Sequence, residues 1–121
     1  MMGIEPINDF RVRVTEAEGR IVICVEGELS LSTAGPLHRA LIQAVAAGQD
    51  TLLDLVGLKS IDLCGLQLLC AAHRTYVSRG VRFDLQGMEH GVSEVARTAG
   101  FAARNLVCPN RPDGNCLWRN L

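Results

Sequence analysis

The stretch L-L-D-L-V-G-L-K-S-I-D-L-C-G-L-Q-L-L, from Leu52 to Leu69, decides the fold of this 121-residue chain. The apolar residues from Thr51 to Leu55 predict a short strand in the interior of a sheet. Residues 56–60 are interpreted as a loop, and the apolar spacing from Cys64 to Arg79 predicts the strongest helix of the chain. Asp62 directly precedes that helix, where a carboxylate can cap free backbone N–H groups. The stretch therefore indicates a strand that leads through a capped turn into a helix.

The residues on both sides of this stretch predict further strands and helices. The alternating sequence F-R-V-R-V-T at 10–15 and the β-branched run at 21–25 predict an antiparallel hairpin. Helical spacing predicts a helix over 33–47, with Ser32 or Thr33 as its N-cap. Downstream, the predicted elements are a strand over 81–85, a helix over 90–99 and a last short strand over 105–108.

Strands that alternate with helices imply parallel strand pairs joined by right-handed crossovers. We therefore predict a single α/β domain, since the chain is too short for two independent cores. Its sheet is expected to be mixed, with four to five strands, an N-terminal antiparallel hairpin and α-helical crossovers.

The composition argues against several classes of function. Twelve Lys and Arg residues against thirteen Asp and Glu residues give a net charge of −1, with no basic stripe that would bind nucleic acid. The aromatic fraction of 4% is too low for a platform that stacks on nucleotide bases. The best membrane candidate, 61–72, is shorter than a membrane span and contains Asp62 and Gln67. We expect a cytoplasmic protein that does not insert directly into a membrane.

Common catalytic and metal-binding motifs are missing from the sequence, so we expect no enzyme activity, no cofactor and no metal site. Cys24, Cys64 and Cys70 lie in apolar runs, which is typical of small buried hydrophobic residues. Cys108 and Cys116 flank a segment rich in Pro, Asn and Gly. We interpret this segment as a surface turn, with a disulfide or a zinc site as the less favoured alternatives.

Two sequence blocks resemble those of STAS domains, the fold of bacterial anti-sigma factor antagonists. V-E-G-E-L-S-L-S-T-A, from Val25 to Ala34, is similar to the family's G-E-L-D-x-x-T-A. I-D-L-C-G-L-Q-L-L, from Ile61 to Leu69, is similar to the family's D-S-[ST]-G-L. The order of the predicted elements also agrees. The resemblance implies a STAS domain over 10–108, between an N-terminal extension, 1–9, and a C-terminal tail, 109–121.

The resemblance implies a non-catalytic regulator that binds an anti-sigma factor or another kinase-like or histidine-kinase-linked signalling protein. In the family, the residue after the Asp is a Ser or Thr that an anti-sigma kinase phosphorylates, and the added charge repels the partner. Here that residue is Leu63, which has no hydroxyl, so we expect no phosphosite at the standard position. Two further family positions differ as well, because Cys64 follows Leu63 and Ser30 replaces the Asp of the first block.

The partner-binding surface that the resemblance implies combines residues of both blocks. Its members are Glu28, Ser30, Asp62, Leu63, Cys64, Gly65 and Leu66. The sequence does not identify the partner, and it leaves open whether the chain forms a homodimer.

Three explanations of the missing hydroxyl remain open. The first, which we favour, is a module that is not switched at all. The second is phosphorylation at Ser60, Ser32 or Thr33, although such hydroxyls usually cap helices. The third is redox control through Cys64, whose thiol pKa a helix N-terminus would lower but burial would raise.

Two other functions also remain. The chain could be the cytoplasmic STAS subunit of a transporter of the lipid-transport ABC type, since those members also have altered phosphosites. It could instead sense a small ligand or nucleotide, although the sequence has no Gly-rich cradle for a phosphate.

Overall fold

The structure, a computed structural model, describes residues 10–87. Its elements are β1 (Arg11–Ala17), β2 (Arg20–Leu29), α1 (Ala34–Ala46), β3 (Thr51–Ile61), α2 (Leu63–Ser78) and β4 (Phe83–Gln86). The four strands form one sheet in the order β1-β2-β3-β4. β1 pairs with β2 antiparallel, whereas β2 with β3 and β3 with β4 are parallel. This arrangement confirms the mixed sheet, the N-terminal hairpin and the helical crossovers.

Several predicted features lie outside the described residues. They are the helix over 90–99, the strand over 105–108, the segment between Cys108 and Cys116, and the extensions 1–9 and 109–121.

The hydrophobic core lies between one face of the sheet and the two helices. Alternate residues of β2 and β3 point into it, among them Ile23, Val25 and Leu53. The helices contribute apolar stripes at helical spacing, namely Leu37, Leu41 and Val45 from α1 and Leu66, Leu69 and Tyr76 from α2. Neither helix between residues 10 and 87 has the length and apolarity that a membrane span requires.

Both central strands are longer than the sequence predicted. β2 continues past the predicted run at 21–25 to Leu29, and β3 continues through the predicted loop at 56–60 to Ile61. Two register shifts in the β2–β3 ladder accommodate this irregular stretch. At the first shift the strands approach closely, since a Cβ on Gly57 would lie 3.0 Å from the Val25 carbonyl oxygen. The prediction of a loop was therefore wrong because a bulged strand can contain residues that are typical of a turn.

The start of α1 also differs from the prediction. Thr33 occupies the N-cap position, but its side chain does not cap the helix. Its hydroxyl instead donates to the Glu28 carbonyl at 2.7 Å and accepts from the Ser30 N–H at 2.9 Å. Thr33 is therefore a buried link between the end of β2 and the loop that follows it.

Candidate protein-docking site

The two sequence blocks meet at the carboxyl ends of β2 and β3. Leu29 and Ile61 are partners in the parallel ladder, and the Asp62 N–H donates to the Leu29 carbonyl at 3.1 Å. β2 leads into a loop, Ser30–Thr33, whereas β3 leads directly through Asp62 into α2. Ligands and partners of open α/β sheets bind beyond the carboxyl ends of parallel strands. The fold thus brings both blocks to the edge where binding is expected.

Asp62 caps α2, as the sequence predicted. Its Oδ1 accepts from the Gly65 N–H at 2.9 Å, and its carbonyl accepts from the Leu66 N–H at 3.1 Å. The first bond satisfies one of the backbone donors that a helix start leaves without a partner in the helix. The residue also lies on an exposed stretch of chain, so its carboxylate can fulfil this structural role and still face a partner.

Gly65 allows the first turn of α2 to lie directly against the end of β2. A Cβ at this position would lie 2.7 Å from Ile61 Cγ1 and 3.1 Å from the Leu29 carbonyl oxygen. Only a residue without a side chain therefore fits here without displacing its neighbours. Leu66, one residue later, is 0% exposed and belongs to the core. A fully buried side chain cannot touch a partner, so Leu66 supports the site from below and is not a contact residue.

Leu63 lies on the surface, as an accessible docking position requires. Its side chain is 51% exposed at the first position of α2. Cys64 is also exposed, whereas Cys24 and Cys70 are half-buried. The expectation that Cys64 is a buried hydrophobic residue was therefore wrong, because the apolar stripe of α2 begins at Gly65 and Leu66 rather than at Cys64.

The loop after β2 presents a second exposed leucine, which the predicted partner-binding surface does not include. Leu31 is 78% exposed, between two serines whose hydroxyl oxygens, Ser30 Oγ and Ser32 Oγ, lie 3.1 Å apart. The Thr33 N–H donates to the Ser30 carbonyl at 3.1 Å, which closes the turn under Leu31. The sequence signal was present, since a leucine between two serines in a connector has no apolar neighbours to pack against.

We call the exposed residues at this edge, together with the half-buried Ser30, the docking surface. It consists of Glu28, Ser30, Leu31, Asp62, Leu63 and Cys64. Glu28 stands opposite Ser60 in the ladder, one position before the Leu29–Ile61 pair. The surface therefore combines exposed leucines with carboxylates, which suits recognition of another protein. Among residues 10–87, no cluster of His, Cys, Asp and Glu side chains is suited to hold a metal ion.

Residues 12–108 match the family described as "Mlab, STAS domain". The chain belongs to the STAS domain family. Its fold is that of an anti-sigma factor antagonist from Mycobacterium paratuberculosis, with a TM-score of 0.64 and 23% identity over 77% of this chain and 80% of that one. An antisigma-factor antagonist STAS domain from Rhodobacter sphaeroides is also similar, with a TM-score of 0.55 and 22% identity over 68% of this chain and 90% of that one. No curated protein matches this chain significantly.

Proposed function

We propose that this STAS domain is a non-catalytic regulatory module that binds a kinase-type anti-sigma factor, or a histidine-kinase-linked signalling protein, through the docking surface. The observation that carries the proposal is the exposure of Leu63 beside the capping residue Asp62, at the edge where the two STAS blocks meet. The docking surface is assembled by the fold itself, because hydrogen bonds link Asp62 to both Leu29 and Gly65.

Leu63 gives the module a binding mode that a kinase cannot switch at this position. Phosphoryl transfer needs a nucleophilic acceptor atom, such as a hydroxyl oxygen, and a leucine side chain has none. Leu63 is 51% exposed, so covering the remainder of its side chain is favourable by about half of the roughly 1.5–3 kcal/mol that burying a fully exposed leucine gives. The side chain thus favours docking and carries no means of adding the negative charge that would reverse it.

The absence of a switch is tested by incubating the full chain with Mg-ATP and each purified kinase-type anti-sigma factor of the source organism. Intact-mass spectrometry is expected to show no added phosphoryl group on the wild-type chain. The matched variant is Leu63→Ser, which restores a hydroxyl directly after Asp62 and is expected to gain one phosphoryl group. A phosphorylated wild-type chain, with the phosphate mapped to Ser32, Thr33 or Ser60, would contradict the proposal.

Binding is tested with the same proteins by isothermal titration calorimetry. We expect one of these anti-sigma factors to bind the wild-type chain, with an affinity that prior incubation with ATP does not change. The Leu63→Ser variant is expected to lose affinity after the same incubation, because the phosphate repels the partner. If none of the anti-sigma factors binds, the same titration is made with the histidine-kinase-linked signalling proteins of the source organism. If none of those binds either, the proposed function is rejected.

A second candidate function is the STAS subunit of a transporter of the lipid-transport ABC type. Leu63 favours it too, because those subunits also have altered phosphosites. Affinity purification of the tagged chain from membranes of its own cells separates the two. Recovery of a stoichiometric ATPase and permease would support the transporter subunit, and recovery of a soluble kinase-type protein would support the regulatory module.

A further inference from the structure

We propose that the partner receives Leu31 and Leu63 together, in an apolar pocket whose rim carries Arg or Lys side chains. This inference rests on the proposed function, and it specifies the chemistry of the protein that the docking surface binds. It also gives Leu31, which lies outside the residues selected from the sequence, a direct role in recognition.

The two leucines are anchored to neighbouring strands. Each follows by two residues a member of the ladder pair Leu29–Ile61, and the bond from Asp62 N–H to the Leu29 carbonyl joins the two strand ends. Both residues therefore lie at the same edge of the sheet with exposed side chains, and Leu31 is the most exposed large apolar residue of 10–87. A pocket that takes only one of them would leave the other in water beside the interface.

Leu31 is held in place before any partner binds. The Thr33 hydroxyl bonds to the Glu28 carbonyl at 2.7 Å and the Ser30 N–H bonds to the Thr33 hydroxyl at 2.9 Å, which ties both sides of the loop together. A loop that is already ordered loses less conformational entropy on association, so more of the gain from covering Leu31 contributes to the affinity.

The carboxylates of the docking surface determine which side chains we expect around the partner's pocket. Glu28 is exposed next to the strand ends, and Asp62 lies between Ile61 and Leu63. A partner that covers the two leucines removes water from these carboxylates, and an unpaired carboxylate is costly to desolvate. Among residues 10–87, neither of these carboxylates forms a salt bridge with a Lys or Arg side chain. Arginine or lysine at the rim of the partner's pocket supplies the missing donors and positive charge.

The experiment measures the affinity of the anti-sigma factor that binds in calorimetry for variants of the full chain. We expect Leu31→Ala and Leu63→Ala each to weaken binding at least about tenfold, as for residues at the centre of an interface. The matched control is Ile42→Ala, which truncates an exposed apolar side chain on α1 and is expected to leave the affinity unchanged.

Charge is tested with Glu28→Gln and Asp62→Asn. Asparagine caps a helix about as well as aspartate, so Asp62→Asn removes the charge and keeps the bond to Gly65. Both variants are expected to weaken binding several-fold and to reduce its dependence on salt concentration. Equal melting temperatures for wild type and variants exclude a loss of folded protein.

The outcomes separate this inference from the function on which it rests. If the wild-type chain binds neither an anti-sigma factor nor a histidine-kinase-linked signalling protein, the proposed function fails and this inference fails with it. If the wild type binds and Leu31→Ala binds equally well, the paired-leucine pocket is rejected and the proposed function stands. If Glu28→Gln and Asp62→Asn bind equally well at low and high salt, the basic rim is rejected.

Discussion

The two ends of the parallel strands β2 and β3 differ in which side chains are buried and which are exposed. At the amino end of β3, Tyr76 is 0% exposed, and its hydroxyl donates to the Leu41 carbonyl at 3.0 Å and lies 2.9 Å from Thr51 Oγ1. At the carboxyl end, Leu31 and Leu63 face solvent. A polar group is buried and bonded at one end, while apolar groups are exposed at the other. This contrast supports our proposals that the first end stabilises the fold and that the second is the docking surface.

The largest expected effect is the difference in unfolding free energy between truncating Leu66, which lies in the core, and truncating Leu63, which lies on the docking surface. Leu66→Ala removes a fully buried side chain and should lower the free energy of unfolding by about 2–5 kcal/mol. Leu63→Ala truncates an exposed side chain and should change it by less than about 0.5 kcal/mol. Urea unfolding followed by circular dichroism measures both values. Equal losses of stability would show that Leu63 is part of the core and would remove the contrast between the two ends.

Removing the buried hydroxyl of Tyr76, at the amino end, is expected to have the next largest effect on the free energy of unfolding. Tyr76→Phe removes two buried hydrogen bonds, one to the Leu41 carbonyl and one with Thr51 Oγ1, which together should cost about 1–3 kcal/mol of unfolding free energy. The ring still fills its place beside Phe83, whose centroid is 4.9 Å away, so the fold should be kept. Thr51→Val and the double variant complete a cycle that measures how strongly the two hydroxyls interact. Partner binding by these variants should match that of the wild type.

How much of this contrast the sequence predicts depends on how local each interaction is. The helices and the Asp62 cap were predictable, because apolar spacing and a cap bond from Oδ1 to the Gly65 N–H involve residues only a few positions apart. The burial of Tyr76 was not predicted, because its hydrogen-bond partners Leu41 and Thr51 are 35 and 25 residues away in the sequence.

The extension of β3 was missed for a similar reason. Gly57, Lys59 and Ser60 are weak strand formers, and their extended conformation comes from the distant partner strand β2. The exposure of Leu31 depends on hydrogen bonds of Thr33, which the sequence suggested as a helix cap and not as a brace for the loop.

At the docking end, the cap of α2 is expected to have a smaller effect on stability. Asp62→Ala removes the acceptor for the Gly65 N–H and should cost about 1 kcal/mol, whereas Asp62→Asn should cost close to nothing. Thermal and urea unfolding of the two variants measure this difference. If Asn is as destabilising as Ala, the charge of Asp62 rather than its hydrogen bond stabilises α2, and the carboxylate would serve the fold more than the partner.

The smallest effect concerns alkaline pH at the amino end. Burial raises the pKa of Tyr76 above its ordinary value of 10.0, although the hydrogen bond from Thr51 lowers it in part. The folded state therefore holds the phenolic proton more tightly than the unfolded state. Its contribution to stability is complete below pH 10 and is lost as the pH rises from there through the raised pKa.

Tyr76 is the only tyrosine in the chain, so the absorbance of tyrosinate reports its titration directly. We expect the folded chain to titrate at a higher pH than the urea-unfolded chain. In Tyr76→Phe, the part of the alkaline loss of stability that is due to this phenol should disappear. If the folded chain titrates at the same pH as the unfolded one, solvent reaches the Tyr76 hydroxyl. The amino end would then not bury its polar group, and the contrast with the docking end would fail.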